Sequence, residues 1–242
     1  MRTSERPLGP ELPTGPEKTR WVRSMFDSIA PRYDLVNRMI TLGMDRSWRR
    51  RTVRALGLPK GSVVLDLACG TGELAKAAGT AGLRVVGSDL SEGMLAARKG
   101  PAAAALADAA RLPFSSGVFD GVVCGFALRN FTDLQRCLKE AARVTRPGGR
   151  LALLEVSKPT GRLLRKGFDM WFDHLVPLIG AVLSKGPAYR YLPRSTAYLP
   201  SHTTLAATMR AAGFATVGRR MLNRGLCQVL TATRAGSPRG PS

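Results

Sequence analysis

Nowhere in the 242-residue sequence does an apolar stretch approach the ~20 residues that a bilayer-spanning helix needs. The longest, Leu175 to Leu183, is interrupted by Pro177 and Gly180, so no membrane span is expected. The N-terminus, MRTSERPLGPELPTGPEK, carries no apolar segment behind its basic start, so the secretory-signal pattern is absent and a cytoplasmic protein is expected. Cysteine is sparse: Cys69, Cys124, Cys137 and Cys227 lie far apart, without a CxxC or Cys/His spacing. That excludes a disulfide framework and gives no metal site, and the four thiols read as small buried residues. Acid is also scarce, with 17 Asp+Glu against 37 Lys+Arg and a net charge of +20. Such a surface favours polyanions, and charge alone does not separate nucleic acid from an anionic membrane face. Arginine heavily outnumbers lysine and Ala, Gly and Pro abound, a bias that genome composition also produces. A hydrophobic content of 44% is enough for a core and excludes a disordered polyelectrolyte.

Pro7, Pro10, Pro13 and Pro16 make residues 1–16 an extended or disordered tail, and residues 235–242 read the same way. From Thr19 to Leu56, apolar residues recur at helical spacing (Val22, Met25, Phe26, Ile29, then Leu35, Val36, Met39, Ile40), with Pro31 marking a new helix start. In this helical segment Arg46, Arg50 and Arg54 form a positive stripe, with Arg49 and Arg51 beside it. From Ser62 the rhythm changes. VVLDLAC, RVVGSDL, AAALAD, FDGVVCGFAL and GRLALLEV are strand-like runs alternating with helical segments from Glu73, Met94–Arg98 and Leu134–Val144. Pro147-Gly148-Gly149 is expected to form the turn before the fifth strand. The pattern predicts an α/β chain with a Rossmann-like, open, mostly parallel sheet and helices on both faces. An N-terminal helical subdomain and a helical insertion covering the active site complete it. One domain spans 17–234: a helical cap (17–56), a cofactor-binding core (62–156), a helical cover (157–201), and a terminal helix with two strands (202–234).

In an open parallel sheet the ligand crevice lies outside the carboxyl ends of the strands. The first strand ends in Asp66-Leu67-Ala68-Cys69-Gly70-Thr71-Gly72, the second at Asp89-Leu90, and the third candidate at Asp108-Ala109. Three acids at converging strand ends suit a nucleoside, with Asp89 placed to accept both ribose hydroxyls. The turn is D-x-A-x-G-x-G instead of G-x-G-x-x-G, which disfavours a nicotinamide cofactor. No Lys-Ser/Thr follows the glycines, so a phosphate loop is excluded.

DLACGTGELA, GSDLSEGML, ADAARLPF and RVTRPGGRL together resemble class I methyltransferases that use S-adenosylmethionine. MFDSIAPRYDLVNRMITLGMDRSWRR, GFALRNFTD, LEVSKP and YRYLPRSTAYLP narrow the resemblance to the quinone-pathway C-methyltransferases of the demethylmenaquinone and ubiquinone-precursor type, from about Met25 to Thr233. The resemblance implies C-methylation of a prenylated quinol, with S-adenosyl-L-homocysteine as product. It implies cofactor contacts from Asp66, Gly70, Thr71, Gly72, Asp89, Leu90, Asp108, Ala109 and Gly125, the last standing where the family commonly has Ser.

The reduced quinol is the expected acceptor, because its phenolate oxygen pushes electron density onto the neighbouring ring carbon. Arg129 is expected to stabilise that phenolate and Asn130 to orient the ring, or Arg129 to pair with an acid of the N-terminal subdomain. His174 is the conventional proton acceptor by chemistry. Tyr33, Asp34, Tyr189 and Tyr191 are expected to border the ring. An isoprenoid substrate gives the basic clusters (Arg46/Arg50/Arg54, Arg162/Arg165/Lys166, Arg219/Arg220/Arg224) a purpose in reversible contact with anionic lipid at the inner membrane face. A phenolic or polyketide acceptor stays open at this point, as does the oligomeric state, with a homodimer one option. RNA methylation is disfavoured: no RNA-binding module, no Asn-Pro-Pro-Tyr-type tetrapeptide and no paired catalytic cysteines are present.

Overall fold

The computed structural model describes residues 14–100, 102–157, 159, 161, 165–167, 170–171, 191 and 195–236. Most of the expected helical cover, including His174 and Tyr189, lies outside them, as do residues 1–13 and 237–242 of the two expected tails.

Seven strands form one sheet in the order β3-β2-β1-β4-β5-β7-β6. They are β1 (Val63–Leu67), β2 (Arg84–Asp89), β3 (Ala103–Leu106), β4 (Phe119–Gly125), β5 (Thr145–Val156), β6 (Phe214–Leu222) and β7 (Cys227–Arg234). The first five are mutually parallel, and β7 runs antiparallel to both its neighbours. The order reverses between β1 and β4, so the crevice opens at their carboxyl ends.

Alternation along the strands assigns each face. Leu65, Leu67, Val122, Cys124, Leu151 and Leu153 meet α6 (Leu134–Val144) and α7 (His202–Ala211) through Leu138, Ala141, Leu205 and Met209. The intervening Val64, Val123 and Ala152 meet α3 (Asp45–Leu56) and α4 (Glu73–Thr80) through Val53, Leu56, Leu74 and Ala78. Both faces are therefore apolar, which is why these strands read as continuous hydrophobic runs. Burial of each such Leu or Val contributes ~1.5–3 kcal/mol, and a charge at Val123 would break the sheet's centre. All four cysteines are buried.

Several boundaries differ from the sequence pattern. The first helix, α1 (Gly15–Ile29), begins inside the expected tail, because Pro16 sits in its first turn, where a missing N–H costs nothing. Pro31 lies in a 3-10 turn, Ala30–Arg32, and α2 (Tyr33–Ile40) follows. Arg46, Arg50, Arg51 and Arg54 are exposed, but Arg49 leaves the stripe: it is buried and pairs with Asp45 at 3.5 Å. Its place one residue before Arg50 turns it toward the side occupied by Trp48 and Val53. Pro147-Gly148-Gly149 is a bulge within β5, where pairing jumps from Phe119↔Thr145 to Gly121↔Arg150. A side chain at Gly149 would strike Asp120 O at 2.8 Å. The helix expected at Met94–Arg98 is α5 (Glu92–Ala96), capped by Ser91, whose Oγ accepts from Met94 N at 3.0 Å.

Candidate active site

The chain leaves β1 through backbone that only a tight turn requires: Ala68 at φ 54°, Gly70 at 53° and Gly72 at 86°, the last preceding α4. Asp89, at the end of β2, locks this turn. Its Oδ2 accepts from Gly70 N at 2.7 Å and its Oδ1 from Ser91 N at 2.9 Å. Each oxygen retains a second acceptor position. Asp108 accepts from Ala110 N at 2.9 Å through Oδ1. Asp66 is different: it is buried, and neither carboxylate oxygen has a hydrogen-bond partner among the described residues. Burial pushes its pKa up to about 7, only partly opposed by the Arg49 guanidinium.

A cavity of about 520 Å³ lies above these strand ends, walled by Gly70, Asp89, Leu90, Asp108, Ala109 and Gly125. Val22 and Phe26 of α1 close its other side. A second cavity, about 210 Å³, is walled chiefly by apolar groups such as Ile29, Ile40, Trp48 and Leu226. Its charged lining among the described residues is Asp45, Arg49 and Arg129. Phe26, Tyr33, Phe126 and Asn130 line both cavities and form their common wall. Phe126 is a non-glycine residue at φ 60°, its N–H donating to Leu154 O at 2.7 Å, and this end of β4 places its ring at the junction.

The segment FDSIAPRYD repeats an aromatic–acid pair, and each half does a separate job. Phe26 and Tyr33 face the cavities, with ring centroids 5.9 Å apart. Asp27 Oδ1 accepts from Ser91 Oγ at 2.5 Å and from Gly93 N at 2.9 Å. Gly93 permits this approach, since a Cβ there would lie 2.9 Å from Asp27 Cα. Asp34 Oδ1 accepts from Thr71 Oγ1 at 2.5 Å. The acids thus fasten the helical cap to the cofactor-side loops. At the other end of α1, Lys18 Nζ donates to Phe131 O at 2.9 Å and sits 3.7 Å from the Tyr198 ring centre. Burial lowers the pKa of this lysine to about 8.

Arg129 joins three of the sequence motifs. Its Nη1 donates to Glu155 Oε1 of β5 and its Nε to Ser195 Oγ at 3.1 Å, with both charged side chains buried. Asn130 Oδ1 accepts from Tyr191 Oη at 3.3 Å. Burial raises the Tyr191 phenol pKa, so this hydroxyl is a donor and not a ready base.

Six of the nine expected cofactor residues therefore share one wall. Asp66, Thr71 and Gly72 stand behind it, Thr71 because its hydroxyl is engaged by Asp34. Asp34, expected at the substrate, lines neither cavity for the same reason. Tyr33, Tyr191, Arg129 and Asn130 do line the second cavity. The acid beside Arg129 comes from β5 and not from the N-terminal subdomain. Glu155, Asp27 and Ser195 were missed, although an acid inside the apolar run LALLEV is itself a signal that a buried cation must be near.

A glycine turn with the Asp89 carboxylate at the next strand end, and the unpartnered Asp66 carboxyl behind them, fits S-adenosylmethionine: Asp89 suits its ribose, and Asp66 acts on its cationic end through its field, without contact. Residues 14–234 match the model of the ubiE/COQ5 methyltransferase family. The chain belongs to this family. It is 44% identical over 218 residues to the demethylmenaquinone methyltransferase of Mycolicibacterium vanbaalenii, covering 88% of this chain and 95% of that one. It is 36% identical to the ubiquinone/menaquinone biosynthesis C-methyltransferase UbiE of Geobacter sulfurreducens, covering 90% of each. Among solved structures, a SAM-dependent methyltransferase of Thermotoga maritima superposes with a TM-score of 0.65 at 20% identity, over 88% of this chain and 99% of that one. Phosphoethanolamine N-methyltransferase 2 of Haemonchus contortus, solved with S-adenosyl-L-methionine, gives 0.63 at 16% identity over 88% and 60%. These two share the fold of the ubiE/COQ5 chain described here.

Proposed function

We propose that this methyltransferase C-methylates a prenylated quinol, demethylmenaquinol, to give menaquinol. The observation that carries the reading is the common wall: an apolar cavity meets the cofactor cavity across Phe26, Tyr33, Phe126 and Asn130. The 44% identical relative named demethylmenaquinone methyltransferase supplies the acceptor class. S-adenosylmethionine, when bound, supplies an activated methyl group on a sulfonium. The protein's work is then to present a nucleophilic ring carbon and keep water away.

In this reading the apolar lining holds the ring and the first part of the prenyl chain. Asn130, fixed by Tyr191, turns its amide Nδ2 toward a ring oxygen. Arg129 lends that oxygen a fixed positive field, oriented by Glu155 and Ser195. The ring carbon takes the methyl group as the methyl–sulfur bond breaks, leaving the neutral thioether S-adenosyl-L-homocysteine, and then sheds its proton to restore the aromatic ring. Asp45, the carboxylate that lines this cavity among the described residues, takes the proton directly or through water, with His174 as the competing acceptor. The prenyl chain keeps the acceptor in the bilayer, and no helix among the described residues is long and apolar enough to cross one. The reading therefore includes reversible contact with an anionic membrane surface from the cytoplasmic side.

Turnover with chemically reduced demethylmenaquinol in detergent, followed by product mass, tests the proposal. One added methyl on the quinol, none on the oxidised quinone and none on tRNA at matched salt is the expected pattern. Methylation of simple phenols or polyketide rings with the quinol untouched would overturn it.

A further inference from the structure

The cap carries a second apolar face that the core does not use. Val36 and Ile40 of α2 are buried against Val22, Met25 and Ile29 of α1. On another side of the same helix, Leu35 is 54% exposed and Met39 42%, four residues apart and hence neighbours on one face. Leu42, in the turn that follows, is 71% exposed and held at φ 51°, a left-handed conformation that a leucine rarely adopts. Leu42 is also part of the acceptor cavity's lining, so the apolar ridge runs into that cavity's mouth. Trp171 Nε1 donates to Ile40 O at 3.1 Å and brings Met170, 63% exposed, to the same region. The other large exposed hydrophobics among the described residues, Leu106, Val118 and Met221, lie on β3, before β4 and on β6.

Among the described residues of α2 and α3, the exposed charge has one sign. Arg38 on α2, and Arg46 and Arg50 on α3, are exposed. The two acids between residues 30 and 56 face inward, Asp34 to Thr71 and Asp45 to Arg49. A second copy of the chain would set these arginines against their own kind. An anionic lipid surface satisfies both features, taking the apolar side chains below the headgroups and the arginines among them. We propose that the Leu35/Met39/Leu42 ridge is the membrane-docking face, seated in anionic bilayer so that the acceptor cavity opens directly onto the lipid that holds the substrate. The proposal rests on the prenylated-quinol reading for its purpose, while the docking itself does not depend on catalysis. It moves the contact from the basic clusters alone to an apolar ridge with a basic rim.

The test uses the full chain and vesicles of phosphatidylcholine with and without phosphatidylglycerol. Wild type is expected to float with anionic vesicles and to stay behind with neutral ones. Leu35→Asp/Met39→Asp alters two exposed residues that line neither cavity, and is expected to lower anionic-vesicle binding about tenfold or more. Thermal melting with S-adenosylmethionine checks that this variant is folded. The variant is expected to methylate a short-chain quinol in solution at the wild-type rate, and to lose about tenfold or more on long-chain quinol held in vesicles. Wild-type-like flotation of the variant, or no binding of wild type to anionic vesicles, would overturn the proposal. So would a wild-type dimer that the double variant splits with no change in flotation. If the flotation pattern holds while no quinol is methylated by either protein, the acceptor reading fails and the docking face stands.

Discussion

The Arg129 guanidinium and the Glu155 carboxylate form an ion pair from which water is almost wholly excluded, with Arg129 also lining the second, apolar cavity. Breaking such a pair from one side leaves a buried charge alone, which costs about 3–5 kcal/mol, whereas replacing both partners by apolar groups is often neutral. Glu155→Ala is therefore expected to destabilise by about 3 kcal/mol or more in urea titration. Arg129→Met/Glu155→Leu should recover most of that stability and still fail to methylate. Recovery of turnover in the double variant would make the pair purely structural.

The hydrogen bond from Thr71 to Asp34 reaches from the glycine turn to the cap, so it should report on cofactor retention. Thr71→Val and Asp34→Ala are each expected to raise the Kd for S-adenosylmethionine. A hydrogen bond to a carboxylate contributes about 1.5–3 kcal/mol, and the double variant should be less impaired than the summed singles by about that amount. Calorimetric titration of the four proteins completes the cycle. Additive effects would show that the two residues act separately.

Asp66 sets a pH dependence. Its folded pKa, about 7, lies above its unfolded value of 3.8, so folding takes up a proton between them. The contribution of this group is most favourable below the unfolded pKa and is lost as pH rises toward 7. Asp66→Asn should accordingly be the more stable ligand-free protein at pH 8, with its advantage shrinking as pH falls toward 5. Cofactor affinity should run the other way: in wild type it strengthens as pH rises through 7 and the carboxylate ionises, and in the variant this dependence is missing. Melting curves and binding isotherms across pH 5–8 check both.

The cofactor half of the molecule was legible because parallel βα units announce themselves. Short apolar runs, each ending in Gly or Asp, put Gly70, Asp89 and Asp108 at strand ends before any coordinates. The acceptor half was less legible, since its walls come from separate motifs. Asp34 was assigned to substrate because its position in the cap is visible and its partner, Thr71, is not. Arg49 looked like one more surface arginine until the phase of α3 turned it inward. Glu155 carried its own signal, an acid in an apolar strand, but nothing local says that its cation is Arg129, and Asp27 gave no hint that it would reach Ser91 and Gly93.

In the proposed reaction Asp45, which lines the second cavity, takes the ring proton, and general-base removal typically costs ~10²–10⁴ in rate. Asp45→Asn is expected to lower kcat at least about a hundredfold while leaving the Kd for S-adenosylmethionine within about twofold. A variant that keeps most of its rate would transfer the role to His174.

The central claim is that a methyl group passes directly from cofactor to ring carbon at the junction of the two cavities lined by Phe26, Tyr33, Phe126 and Asn130. Single-turnover reaction of the protein with carbon-13 methyl-labelled S-adenosylmethionine and reduced demethylmenaquinol, read by NMR, tests it most directly. The expected spectrum has one labelled methyl resonance in the ring C-methyl region, absent when the quinone is left oxidised. A labelled methoxy resonance, or no label on the quinol while the protein demonstrably binds S-adenosylmethionine, would contradict it.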